Sequence, residues 1–282
     1  MSDKRIIIIT DSPCDLPDDL LKKYDIRYIP LRIVCSDGEF RDRIEISPEE
    51  VYQKMEDELP KTSLPLIEDV EKLYDELAEE GYTDAIHICM SSNLSGTYNM
   101  MALYAKEYTR IRIRVFDSKT LSMQEGIIAL LCARMLEKTQ DVDEILAYAQ
   151  KLRENSAGVF VVRTLEYLRK GGRIGLVEGV LGTMLQLKPI IWVNDDGIYE
   201  TIAKVRGHKN AMEALLQDCI KRYQKSRVVL AVVHGSAQAE AETLLAKLKG
   251  VLNIEEAFIR PVSPVIGVHT GPGLLAVIAC RV

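Results

Sequence analysis

Apolar residues recur along the chain in two rhythms: short unbroken runs, and longer stretches at helical spacing. The runs Arg5–Thr10 and Ala85–Met90 are continuous rather than alternating, which fits strands covered on both faces, as in a parallel sheet. After the first run the pattern predicts a helix to about Tyr24, a strand Tyr28–Val34 and a turn at Ser36-Asp37-Gly38. Ser47-Pro48-Glu49-Glu50 reads as N-cap, N1 proline and acidic first turn of a helix running to about Glu58. Pro60–Pro65 reads as an irregular link before a helix Leu66–Glu80, which Gly81 ends. A helix Tyr98–Tyr108, a strand Arg112–Phe116 and helices Ser122–Glu137 and Val142–Glu154 follow. Asp141, with Glu144 three residues on, caps the last of these.

Strand Gly158–Val162 leads into Arg163–Arg173, and there the pattern changes. Gly175–Leu187 reads as an apolar, weakly periodic helix. Pro189–Val193 and Ile198–Lys204 flank Asn194-Asp195-Asp196-Gly197, a strong hairpin signal. Helices His208–Tyr223 and Ala237–Lys249 are then interleaved with strands Arg227–His234, about Glu255–Ile259, and Leu274–Val282. A length of 282 residues suits two domains, divided as residues 1–165 and 166–282. The expected fold is α/β in both: a largely parallel sheet flanked by helices first, then a mixed sheet with helices.

Composition narrows the function classes. A net charge of −6 gives no electrostatic support for nucleic acid as a partner. The six cysteines form no CxxC and no His pairing at metal spacing, so reduced thiols in a cytoplasmic protein without a bound metal are expected. The Ile6–Ile9 run stops at Asp11, too short for a signal peptide. Arg134, Glu178 and Lys188 interrupt the longest apolar runs, so no stable membrane insertion is expected.

The candidate chemistry sits at strand ends. Ser91–Tyr98, SSNLSGTY, follows a buried strand and opens a helix, and puts four hydroxyls (Ser91, Ser92, Ser95, Thr97) near free backbone N–H groups. Such a place holds a phosphate or a carboxylate, although one Ser there is ordinarily only an N-cap. Thr10-Asp11-Ser12 and Asp117-Ser118 also end strands, and in a parallel sheet these ends share an edge. His269 sits in Gly267–Gly273, whose three glycines and proline predict a fixed backbone exposing the imidazole.

Together these residues resemble the DegV family of bacterial fatty-acid-binding proteins from end to end. The matching motifs are Thr10-Asp11-Ser12, Thr62-Ser63 with Pro65, Ser91–Tyr98, Asp117-Ser118, Thr164–Leu168 leading to Gly172-Arg173, Lys188-Pro189-Ile190, Lys204-Val205-Arg206, and His269–Gly273. The resemblance implies one long-chain fatty acid in a cleft between the two domains, and no other cofactor. It places the carboxylate on Thr62 and Ser95, with Ser63, Ser92 and His269 close by. It also implies a non-catalytic protein that presents its ligand to a fatty acid kinase, with Arg173, Arg206 and His269 as the docking rim. Leu64 and Leu66 depart from the family's pattern, replacing polar residues. The acyl tail is expected to thread between the sheet and apolar helices such as Leu176–Leu187. Other readings stay open. A ligand-sensing regulator would use the same pocket. A phosphate- or nucleotide-using enzyme would need a glycine-rich loop, and Gly171–Gly175 is not GxGxxG. A serine hydrolase would need a G-x-S-x-G elbow, which Gly235-Ser236-Ala237 lacks.

Overall fold

The computed structural model describes residues 4–180 and 187–282. In chain order the strands are β1 Ile6–Asp11, β2 Arg27–Ile29, β3 Arg32–Cys35, β4 Gly38–Arg41, β5 Lys61–Ser63, β6 Asp84–Cys89 and β7 Arg112–Asp117. They continue as β8 Ser156–Val161, β9 Leu187–Val193, β10 Tyr199–Arg206, β11 Arg227–His234, β12 Asn253–Pro261 and β13 Leu275–Arg281. The protein is α/β, as expected. A parallel sheet has the order β2-β1-β6-β7, and a mixed sheet the order β10-β9-β8-β13-β11-β12. A third, three-stranded antiparallel sheet, β4-β3-β5, was not legible in the pattern.

The continuous isoleucine run of β1 is buried on both sides: Ile7 and Ile9 pack with helices Ile67–Glu79 and Thr97–Glu107, Ile6 and Ile8 with helix Ser122–Met135. That last helix is buried from Ser122 to Ala133 because it lies between the two large sheets, touching β1 and β6 on one side and β8, β11 and β13 on the other. A helix with no solvated stripe is mostly apolar on every side, and the polar residues at its start, Ser122, Gln124 and Glu125, are buried with it. Helices His208–Tyr223 and Gln238–Lys249 cover the far face of the six-stranded sheet with a separate apolar cluster.

Several predicted elements differ. The single strand Tyr28–Val34 is two strands in different sheets, split at Pro30, which has no N–H for a ladder. The link Pro60–Pro65 contains β5, paired to β3. Strand β8, on the N-terminal side of the expected division at residue 165, lies in the six-stranded sheet. The segment around His269 is a helix, Pro264–Thr270, rather than an irregular frame. Its first N–H groups are capped from elsewhere: Asp15 Oδ1 accepts from Ser263 N at 2.8 Å and Asp42 Oδ1 from Val265 N at 3.0 Å. Gly271 ends it at φ +68°, where a Cβ would lie 2.3 Å from the Tyr167 ring. Of the expected helix Gly175–Leu187, Gly175–Val180 is a 3-10 turn and residues 181–186 lie outside the described residues.

Candidate functional site

The carboxyl ends of β1, β6 and β7 do share an edge, but their polar residues mainly hold one another. Asp11 Oδ2 accepts from Met90 N at 2.8 Å, and its Oδ1 lies 3.1 Å from His87 Nε2. Asp11, His87 and Cys89 are all buried, and the Tyr74 hydroxyl occupies the other nitrogen of His87 at 3.1 Å. Asp117 accepts from Ser92 Oγ at 2.6 Å, Ser92 N at 3.2 Å and Lys119 N at 2.9 Å. These bonds fold the loop Ser91–Gly96 back over the sheet edge.

Beyond that loop lies a narrow cavity, with about 30 Å³ of space for the centres of water-sized molecules, lined by Thr62, Ser95, Arg173 and His269 among apolar residues. Four separate segments of chain deliver these side chains. Thr62 comes from β5, where residues alternate between faces; Ser63 therefore points the other way and is exposed. Thr62 Oγ1 and His269 Nε2 are 2.8 Å apart. Ser95 Oγ lies 2.8 Å from Thr97 Oγ1. Arg173 donates Nε to Leu94 O at 3.2 Å and Nη1 to Gly171 O at 2.7 Å. It makes no salt bridge among the described residues, and no acidic side chain lines this cavity.

His269 was expected to be exposed, yet its ring rests against Gly171, where a Cβ would fall 2.2 Å from Nδ1. Nδ1 is buried without a partner. Burial first, and the nearby Arg173 charge second, push the imidazole down to about 4, so it is neutral at neutral pH. Of the residues singled out in sequence, the structure therefore gathers Thr62, Ser95, His269 and Arg173. It leaves Ser63 outside, ties Ser92 to Asp117, and puts Arg206 at the exposed end of β10, paired with Leu187.

A second narrow cavity, with about 40 Å³ of the same kind of space, adjoins the first through shared walls at Leu121, Tyr199 and Ile266. Phe160, Val193, Val233, Val262, Leu274, Ala276 and Ile278 make most of its surface. Apart from the Tyr199 hydroxyl, its side-chain polar groups are already bonded, Ser122 Oγ donating to Asp15 Oδ2. Gln124 accepts from Thr120 Oγ1 at 2.6 Å and donates to Ser156 Oγ at 2.9 Å, and Thr270 Oγ1 donates to Ile266 O at 2.9 Å. Polar atoms satisfied in this way leave the wall largely apolar to an occupant. Leu176 and Val177 do not line this cavity; Leu176 is exposed and Val177 is buried in the core. Sequence reasoning missed Tyr199, because only the docking of the β9–β10 hairpin makes it part of both walls.

Comparison with known proteins places the chain. The DegV family model matches residues 5–282. A DegV domain-containing protein of Clostridium acetobutylicum is 42% identical over 275 residues, covering 98% of each chain. A DegV family protein from Thermus thermophilus, described as fatty acid binding, is 33% identical and superposes with a TM-score of 0.93 over 99% of this chain and 100% of its own. DegV of Bacillus subtilis, described as a fatty acid binding protein, is 27% identical with a TM-score of 0.90, covering 99% and 100%. No described helix is long and apolar enough to cross a membrane. By the match to its whole length and by these relatives, the chain belongs to the DegV family.

Proposed function

We propose that the protein binds one long-chain fatty acid, with the carboxylate among Thr62, Ser95, His269 and Arg173 and the acyl chain in the adjoining apolar cavity. The observation that carries this reading is Arg173: a half-buried guanidinium without a carboxylate partner among the described residues, beside hydroxyl donors, at the mouth of an apolar space. A carboxylate entering that space loses its hydration and recovers it through charged hydrogen bonds. Burying each methylene contributes about 0.8 kcal/mol, so a long chain supplies on the order of 10 kcal/mol before the entropy of association is subtracted. The solved relatives described as binding fatty acids support the same ligand class.

Extraction of lipid from protein purified without added ligand tests this. Mass spectrometry should find a long-chain monocarboxylic acid at close to one per chain; a phospholipid or a nucleotide would overturn the reading. The protein is a carrier rather than a catalyst, and the bound acid is presented to a fatty acid kinase for acyl phosphate formation. Arg206, exposed and outside both cavities, is the docking residue that can be changed without touching the ligand. Arg206→Glu should leave fatty acid affinity unchanged and lower acyl phosphate formation by an added kinase with ATP. If no fatty acid kinase accepts the loaded protein, the carrier role gives way to ligand sensing.

A further inference from the structure

The hairpin turn Asn194–Gly197 lines neither cavity, yet it is tied to the loop that carries Ser95. Ser91 Oγ donates to Gly197 O at 2.8 Å, and Asn93 Nδ2 donates to Asp196 O at 2.7 Å. The approach demands glycine: a Cβ on Gly197 would lie 2.2 Å from Ser91 Oγ and 3.1 Å from Lys119 Cα, and φ is +78°. The turn is itself held firmly. Asn194 Oδ1 accepts from Asp196 N at 3.1 Å and from Ile198 N at 3.0 Å, and the buried Arg153 donates Nη2 to Asn194 O at 2.9 Å.

On the other side of the contact, the loop is closed on Ser91. Ser95 N donates to Ser91 O at 3.0 Å, and Asn93 N to Ser91 Oγ at 3.2 Å. A shift of Ser91 is therefore a shift of Ser95. Two residues past Gly197, Tyr199 forms wall of both cavities, so the same hairpin reaches the loop with its tip and the ligand space with its first strand residue.

We propose that the Asn194–Gly197 turn sets the Ser91–Ser95 loop against the bound carboxylate, which makes Ser91, Asn93 and Gly197 positioning residues for acid recognition. The inference rests on the fatty acid reading above. It concerns geometry at the head group only, and so it predicts a loss confined to ligands with a carboxylate.

The test uses delipidated full-length protein and two probes of equal chain length, hexadecanoic acid and hexadecanol. Asn93→Asp keeps the size of an exposed side chain and removes its donor; Asn93→Ala removes both groups. The ratio of acid to alcohol affinity should fall about threefold to tenfold in both, with alcohol affinity near wild type. Gly197→Ala, which wedges the turn away from Ser91, should lower the ratio further. A purely structural role would lower the melting temperature and weaken both probes alike, leaving the ratio unchanged; that result overturns the proposal. If Gly197→Ala does not fold, the two Asn93 variants decide. A wild-type protein with no preference for acid over alcohol would sink the fatty acid reading and this inference together, whereas a wild-type preference that survives in every variant sinks only the inference.

Discussion

The two joined cavities are built on different principles. The polar end is assembled from four distant segments, β5, the Ser91–Gly96 loop, the turn before Ile174, and helix Pro264–Thr270. Its geometry depends on particular bonds, such as Thr62 to His269 and Arg173 to Leu94 O. The apolar end is the inner surface of regular elements, mainly strands β8, β11 and β13 and the start of helix Ser122–Met135. There any side chain of suitable volume serves, since apolar burial has no direction. Selectivity for an acid should therefore reside at one end and gross affinity at the other.

Blocking the apolar end should have the largest effect. Ala276 lines the cavity and is 8% exposed. Ala276→Trp would displace about four methylenes, a loss of about 3 kcal/mol or about 200-fold in affinity for hexadecanoic acid. Titration calorimetry should show hexadecanol weakened to the same degree, and octanoic acid weakened less. Equal weakening of the short and the long acid would mean that the tail lies elsewhere.

Changes at the polar end should be smaller and should separate the probes. On the proposed head-group site, Ser95→Ala, Thr62→Ala and Arg173→Gln should each remove a hydrogen bond to a charged group, worth about 1.5–3 kcal/mol, or about tenfold to a hundredfold. Competition with a fluorescent fatty acid should record that loss for acids and little change for alcohols. A variant that weakens both probes equally has disturbed the cavity rather than the head group.

Proton linkage gives the subtlest contrast. His269 is pushed down from 6.5 to about 4, so the folded chain holds fewer protons than the unfolded one between those values. Its contribution to stability therefore falls as pH drops through that window. Asp42, which caps the helix carrying His269, is pushed the other way by burial, from 3.8 to about 7. Here the folded chain holds more protons, and stability falls as pH rises from about 4 through about 7. Melting temperatures against pH should show His269→Gln flattening the acidic arm and Asp42→Asn flattening the arm toward neutrality. Unaltered profiles would mean that neither group is held as burial implies.

The same contrast explains what the sequence disclosed. Continuous runs such as Ile6–Ile9 and Ala85–Met90 reveal buried parallel strands because burial on both faces leaves no other pattern. The apolar cavity belongs to that regular framework, yet its membership did not show. Tyr199 and Ala276 differ from other core residues only in facing a space rather than a neighbour. At the polar end the hydroxyl clusters stood out, but not their partners. Ser92 and Ser95 read alike in SSNLSGTY, and only the fold sends the first to Asp117 and the second to the cavity. Thr62 and Ser63 are adjacent in sequence and opposite in space. His269 was legible as a special residue through its glycines, whose role proved to be close packing against Tyr52, Tyr167 and Arg163 rather than exposure. Leu64, which departs from the family pattern, lies against Gly96, where a Cβ would be 3.5 Å from its Cδ2.

A crystal structure of the protein with hexadecanoic acid tests the central claim most directly. The account predicts carboxylate density within hydrogen-bond distance of Thr62 Oγ1, Ser95 Oγ and the Arg173 guanidinium, with the chain running past Tyr199 and Ile266 toward Phe160 and Ile278. A carboxylate at the Ala276 end, or an acyl chain bound outside the two joined cavities, would contradict it.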